Sequence, residues 1–296
     1  MKIINVDELT DLTSFSNLTL LLGNFDGVHK GHKELVYEAK KRASGDIAVM
    51  LFDKNPSSLL HNKEENVLTS IDDKIRIFNS LGVDIAFVLR LDHKLLNKSK
   101  EEFINDYLLK INPNLIVVGR DYTFGKYGEG KVKDLKNTFK VFACPLLTIG
   151  NEKIGTQQIV RYLKNGDVSA ANNMLGRNYE IKGKVTHGLG NGHKIGFPTA
   201  NLSLQTPYVL PKKGVYKTIS YVRGIPYPSM TNIGNNPTVG ASNDLSIETF
   251  INKFDKDIYD ETIYLEFVSF LRNEIKFPSL EKLKEQLEKD KEDCFD

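Results

Sequence analysis

The sequence has few cysteines, no long hydrophobic run and no surplus of one charge, and each lack removes a class of protein. The two cysteines are Cys144 and Cys294. They lie in different halves, outside any CxxC or Cys/His cluster. Two unpaired thiols in a reducing cytosol are expected, not a disulfide framework or a structural zinc site. No stretch reaches the ~18 apolar residues of a membrane helix. Residues 1–9 carry Lys2, Asp7 and Glu8 without an apolar segment, unlike a secretory signal. A cytoplasmic protein without a membrane partner is expected. There are 40 basic and 38 acidic residues, for a net charge of +2. The basic residues are also scattered, so the field that would favour nucleic acid is missing. There is no internal repeat and no low-complexity tract.

What is present is an ordinary globular composition, 40% hydrophobic and 26% charged over 296 residues. At about 100–200 residues per domain, that length predicts two domains, each with its own core. In the first half, strand-like runs (18–22, 47–52, 84–89 and 115–118) alternate with helical patterns at 72–81 and after a Ser99–Glu102 capping box. Such alternation predicts a parallel sheet wrapped by helices. Ligands of such sheets bind beyond the carboxyl ends of the strands, which directs attention to the loops 23–32 and 119–130. Two short helices are expected at 157–164 and 167–175, with Gly176 as C-cap. The texture then changes to strand-like segments at 179–187, 214–222, 245–250 and 262–267, punctuated by proline and glycine. That pattern suits an antiparallel barrel or sandwich. An amphipathic helix over 279–291 closes the chain, with Ser279 as N-cap and Leu280, Leu283 and Leu287 on one side. The boundary is placed near residue 180, giving domains 1–180 and 181–296.

Two stretches carry chemistry. The first, Gly23-Asn-Phe-Asp-Gly-Val-His-Lys-Gly-His32, follows a strand and opens a helix. Its glycines permit a tight turn, and a helix start offers free N–H groups and a positive dipole end to phosphate. His29 and His32 are spaced to face that phosphate together as donors. In the second, Gly188-Leu-Gly-Asn-Gly192 precedes Gly196-Phe-Pro-Thr-Ala-Asn-Leu202. A loop of alternating glycines can wrap a polyphosphate with its amides. Thr199 and Asn201 share one face of an extended segment, and their oxygens suit Mg²⁺. Further on, Glu248 shares a strand face with Phe250.

The first strip resembles the signature of the HxGH nucleotidyltransferases, in the spelling of bacterial FAD synthetases. Val118–Gly130 is similar to that family's second loop. Gly196–Leu202 resembles the signature of bacterial riboflavin kinases, followed in order by Gly214–Tyr216, Asn232–Thr238, Ile247–Phe250, Asp257–Tyr259 and Phe270–Arg272. The resemblance spans nearly the whole chain and is to the bifunctional riboflavin kinase/FAD synthetase family.

It implies a Rossmann-like nucleotidyltransferase domain followed by an antiparallel β-barrel kinase domain with a C-terminal helix. ATP is the implied co-substrate, Mg²⁺ the cofactor, and riboflavin, FMN and FAD the flavins. It implies ATP/FMN contacts from Gly23, Phe25, Asp26, Gly27, Gly31, Asp121, Phe124 and Thr156, with His29 and His32 catalytic. In the barrel it implies ATP/flavin contacts from Gly188, Gly190, Gly192, Lys194, Gly196, Pro198, Thr199, Asn201, Asn232 and Arg272. Glu248 is the implied general base, and Thr199 and Asn201 the implied metal ligands.

Two segments depart from the family pattern. Lys54 and Asn55 replace a proline and a histidine, and Gly155–Val160 has Val160 where the family has arginine. These departures favour a kinase whose first domain only binds nucleotide or flavin. A non-catalytic flavin-binding regulator is a third reading, and intact Thr199, Asn201 and Glu248 speak against it.

Overall fold

The computed structural model describes residues 1–7, 10–13, 15–60, 65–188, 192, 196–235 and 245–295. The chain separates into two compact units, Met1–Thr156 and Gln157–Asp296.

The first unit is built on six strands: β1 (Lys2–Val6), β2 (Thr19–Leu22), β3 (Ile47–Phe52), β4 (Ile85–Leu89), β5 (Leu115–Gly119) and β6 (Val141–Cys144). Their spatial order is β1-β4-β3-β2-β5-β6, and every neighbouring pair is parallel. Leu20 and Leu22 pack into one core cluster and Leu21 into another. Both faces of the sheet are therefore covered, which is why the central strands are continuous apolar runs rather than alternating ones. Helix α1 (Lys30–Arg42) follows β2, and α2 (Ile71–Ser80) precedes β4. From β2 the chain moves to β3 and β4 on one side, and β5 lies on the other. The topological switch therefore falls between the ends of β2 and β5, the place where ligands of such sheets bind. The loops that leave those two ends are the ones singled out in the sequence.

The capping box forms as expected, with Ser99 Oγ accepting from the Glu102 N–H at 3.1 Å. The helix then passes through a π segment, Ile104–Leu108, before ending at Ile111.

In the second unit, α3 (Thr156–Asn165), which belongs to it from Gln157 on, and α4 (Val168–Leu175) precede six strands. These are β7 (Tyr179–Thr186), β8 (Thr199–Ser203), β9 (Gly214–Val222), β10 (Ile225–Asn235), β11 (Leu245–Ile251) and β12 (Thr262–Arg272). They form a closed antiparallel barrel in the order β7-β8-β11-β10-β9-β12. Closure leaves no sheet edge exposed. Helices α3 and α4 belong with this unit: Asn172 Nδ2 donates to the Phe267 carbonyl at 2.8 Å, and the Lys212 N–H to the Leu163 carbonyl at 2.9 Å. Pro226 and Pro228 sit inside β10, where that strand pairs with β9 alone; pairing with β11 begins at Ser229. A missing N–H costs no ladder bond there.

Alternation divides the barrel into an inner and an outer face. Inside, the hydroxyls of Thr218, Thr231 and Thr249 form a chain of 2.8 and 2.9 Å contacts, so these buried polar groups satisfy one another. Outside, Val215 and Met230 form a cluster with Cys294 of helix α5 (Leu280–Phe295), which lies over that face. Both cysteines are buried free thiols, and burial pushes each up to about 11.

Candidate active sites

The Gly23–His32 strip leaves β2 through an unusual turn. Phe25, Gly27 and Val28 have φ of 55, 83 and 38°. Phe25 turns inward to meet Phe78 edge-on, with ring centroids 5.1 Å apart. A Cβ on Gly23 would lie 3.0 Å from the Phe25 ring, and one on Gly31 would lie 3.1 Å from the His29 ring. Glycine at both positions lets the rings lie against the backbone. His29 is the N-cap of α1, without a side-chain cap bond. Its ring stacks on His32 with centroids 3.6 Å apart and planes 17° from parallel. The two imidazoles and the helix start thus occupy one spot, as the spacing predicts.

Asp26 is turned inward. Its buried carboxylate accepts from the Leu68 N–H at 3.0 Å and the Thr69 N–H at 3.1 Å. Thr156 is brought to the same turn, its hydroxyl donating to the Asp26 carbonyl at 3.0 Å. Val160 is half-buried and Arg161 exposed on α3. In the other departing segment, Asn55 Oδ1 accepts from the Ser57 N–H at 3.1 Å, while Lys54 is exposed. On the loop after β5, Asp121 is exposed and paired with Lys153. Phe124 is buried between Phe103 and Tyr122, at 5.8 and 5.9 Å between centroids. It anchors this loop.

In the barrel, register assembles the second site. Glu248 on β11 is paired with Asn201 on β8 and with Asn232 on β10. The row continues through Val215 on β9 to Arg272 on β12. Directly paired residues share a face, so five strands present one line of side chains outward beneath α5. Thr199, two residues from Asn201, is paired with Phe250. Gly188 and Gly192 lie over this pair of polar residues. A Cβ on Gly188 would fall 2.1 Å from Asn201 Nδ2, and one on Gly192 2.1 Å from the Phe197 carbonyl oxygen and 3.4 Å from Thr199 Oγ1. Gly196 has φ of 82°. Gly190, Lys194 and residues 236–238 of the third kinase-like segment lie outside the described residues.

Two clefts meet at Thr199. One, of about 350 Å³, lies between the outer face and α5 and is lined by Phe197, Asn232, Glu248, Phe250 and Phe277. The other, of about 380 Å³, is lined by Pro198, Phe254, Lys256, Asp257 and Tyr259. Thr199 is part of both walls, whereas Glu248 lines only the first. Burial pushes the Glu248 carboxyl above the ordinary range for glutamate.

Arg272 lines the first cleft, but its guanidinium is held by a partner the sequence reading missed. Nε donates to Asp290 Oδ1 at 2.9 Å and Nη2 to Oδ2 at 2.6 Å. The carboxylate of Asp290 is buried, and Gln286 Nε2 also donates to it at 2.9 Å. A signal for this pair was present: Asp290 falls on the helical stripe of Leu280, Leu283, Leu287 and Cys294, where a charge needs a partner. Thr69 was also missed. It carries no motif, and only the fold brings it to Asp26. Among the described residues, no group of three or more His, Cys, Asp or Glu side chains could hold a metal ion.

Known proteins match both units. A family model described as FAD synthetase matches residues 12–161, and one described as riboflavin kinase matches residues 175–296. The bifunctional riboflavin kinase/FMN adenylyltransferase of Listeria monocytogenes is 38% identical, over 98% of this chain and 94% of that one. Its counterpart in Bacillus subtilis is 37% identical, over 93% and 91%. A solved structure from Streptococcus pneumoniae, described as a macrolide-efflux protein, is similar with a TM-score of 0.91 and 30% identity, covering 99% of each chain. Among the described residues of the present chain, no helix is long and apolar enough to cross a membrane. With two domain matches in order along one sequence, and curated relatives aligned over nearly all of it, this chain belongs to the family of bifunctional riboflavin kinase/FMN adenylyltransferases.

Proposed function

We propose that this chain makes FMN from riboflavin and ATP in residues 181–296, and FAD from FMN and ATP in residues 1–180, working in the cytoplasm. The observation that carries the first step is the row Asn201–Glu248–Asn232, with Glu248 and Asn232 lining the cleft beneath α5, beside Thr199, where two clefts meet. The cleft beneath α5 has three phenylalanines and, in Glu248, a carboxylate that burial pushes above its ordinary range, which suits the flavin ring and its ribityl chain. The cleft with Lys256 and Tyr259 suits the nucleotide. Thr199, common to both, stands where acceptor hydroxyl and phosphate meet.

Glu248 then takes the proton of the ribityl 5′-hydroxyl as its oxygen bonds to the γ-phosphorus. The bond from that phosphorus to the β,γ-bridging oxygen breaks, and ADP leaves. Thr199 Oγ1 and Asn201 Oδ1 are hard donors on one strand face, near Gly188 and Gly192. They are the residues that would hold Mg²⁺. When bound, the ion neutralises phosphate charge. Arg272, anchored by Asp290, shapes the cleft wall.

In the first unit, an FMN phosphate oxygen attacks the α-phosphorus of ATP, and pyrophosphate leaves. No protein nucleophile is required. His29, His32 and the amides at the start of α1 hold the phosphates and donate to developing charge. Asp121 and Phe124 border the second loop of this site.

Two incubations test both steps: riboflavin with ATP and Mg²⁺, and FMN with ATP and Mg²⁺, with the flavins resolved by chromatography. FMN in the first and FAD in the second are expected. Lys54, Asn55 and Val160, where the family pattern has other residues, favour one competing reading, in which the first domain binds nucleotide or flavin without transferring adenylyl. FMN without FAD would establish that reading. No product in either tube would leave a binding protein.

A further inference from the structure

The turn at Gly23–His32 does not hold its shape by local bonding alone. Three of its backbone groups are gripped by side chains from distant parts of the chain. Lys74 Nζ donates to the Asn24 carbonyl at 3.1 Å, fifty residues away in sequence. The Gly27 N–H donates to Thr69 Oγ1 at 2.9 Å, and Thr156 Oγ1 donates to the Asp26 carbonyl at 3.0 Å. Thr69 closes the arrangement twice over. Its N–H and its hydroxyl both donate to Asp26 Oδ1, at 3.1 and 3.3 Å, while that hydroxyl's oxygen accepts from Gly27. Asp26, Thr69 and Lys74 are buried, and Thr156 is half-buried.

Two features indicate what this cluster is for. Phe25 and Val28 have positive φ without being glycine, a conformation that persists only where its surroundings impose it. His29 follows Val28 directly, so the direction of its ring is set by this turn. The second feature is the charge of Asp26. A carboxylate aimed into a phosphate cradle would repel its ligand, but here it is spent on the Leu68 and Thr69 amides, near Lys74, whose ammonium burial pushes below its usual range while the charge of Asp26 opposes that shift. The cluster thus neutralises itself inward and leaves the outer side of the turn to donors.

We infer that Thr69 and Lys74 are positioning residues for adenylyl transfer, holding the Gly23–His32 turn in the strained form that stacks His29 on His32. This rests on the proposed FAD-forming activity of the first unit. Neither residue touches substrate; each acts through the backbone of the turn. A turn that relaxes by a fraction of an ångström misplaces both imidazoles at once.

The test compares Thr69→Val, which removes the hydroxyl at nearly constant volume, with Thr69→Ser, which keeps it, in the full-length protein. Lys74→Met removes the grip on Asn24 independently. FAD formation from FMN and ATP is measured beside FMN formation by the same molecules, with far-UV circular dichroism to establish folding. In Thr69→Val and Lys74→Met, kcat for FAD formation should fall roughly 10²-fold, as misplacement of catalytic groups by about an ångström does. The KM for ATP should move by less than about threefold, because binding is not what is lost. Thr69→Ser should recover most of the rate, and FMN formation should stay unchanged in all three. Wild-type kcat in folded Thr69→Val and Lys74→Met would overturn the inference, as would a loss that Thr69→Ser shares. A wild type that forms no FAD would instead overturn the functional reading on which the inference rests, and the two failures are told apart by that control.

Discussion

Asn201 and Glu248 stand directly opposite each other on adjacent antiparallel strands, and Asn232 extends the pair on the far side of Glu248. A carboxylate flanked by two amides on one face, half-buried at the edge of an aromatic cleft, is placed to receive a proton from a hydroxyl. Glu248→Gln keeps the shape and removes the base. FMN formation should fall by about 10²–10⁴-fold, while FAD formation from supplied FMN persists. Loss of both activities together would refute separate sites.

Burial raises the Glu248 pKa, so the group must be deprotonated at a pH above the ordinary glutamate value of about 4.3 before it can act. The acid limb of kcat/KM for FMN formation, which reports the free enzyme, should therefore lie above that value. The sign for stability is the opposite of that for activity. The folded state binds this proton more tightly than the unfolded chain, so ionised Glu248 weakens folding as pH rises through the raised pKa. Thermal melts should show Glu248→Gln gaining on wild type at neutral pH, with the gain vanishing below about pH 4.

The stacked pair His29–His32 is proposed to serve the other activity. His29→Ala removes one donor from the cradle and should lower FAD formation by about 10²–10³-fold, the usual effect of losing a single preorganised donor. Riboflavin phosphorylation by the same preparation should be unaffected, and a parallel fall there would contradict the assignment.

Arg272 and Asp290 fix helix α5 against β12 at the edge of the cleft proposed for the flavin. Asp290→Ala leaves a largely buried guanidinium without its carboxylate and should destabilise the barrel by about 3–5 kcal/mol. The double variant Arg272→Met, Asp290→Leu should regain most of that stability. If α5 forms one wall of the riboflavin site, Asp290→Ala should also raise the KM for riboflavin. An unchanged KM in folded Asp290→Ala would separate α5 from the site.

Much of the fold was legible in local pattern. The runs at β2 to β5 are apolar because both sheet faces are covered, and Ser99, Asp167 and Gly176 marked helix ends that the structure has. Edge strands β1 and β6 were missed: they are short, and Lys2 and Asn5 interrupt the first. Strand β10 was hidden by Pro226 and Pro228, which look like breakers until the barrel pairing reveals that their position needs no donor on one side. The π segment within 104–108 left no sequence mark.

For the sites, the sequence by itself determined composition: a glycine-punctuated strip with two histidines, and a threonine, an asparagine and a glutamate of the kind that handles phosphate. These are properties of residue type and short spacing. Tertiary structure decided how they meet. Strand register put Asn201, Glu248 and Asn232 in one line, barrel closure placed Thr199 between two clefts, and helix α5 drew Asp290 onto Arg272. Long-range hydrogen bonds turned Asp26 inward, toward Thr69. Register and such long-range bonds depend on which distant segments pair when the cores close, and no local window of sequence contains that.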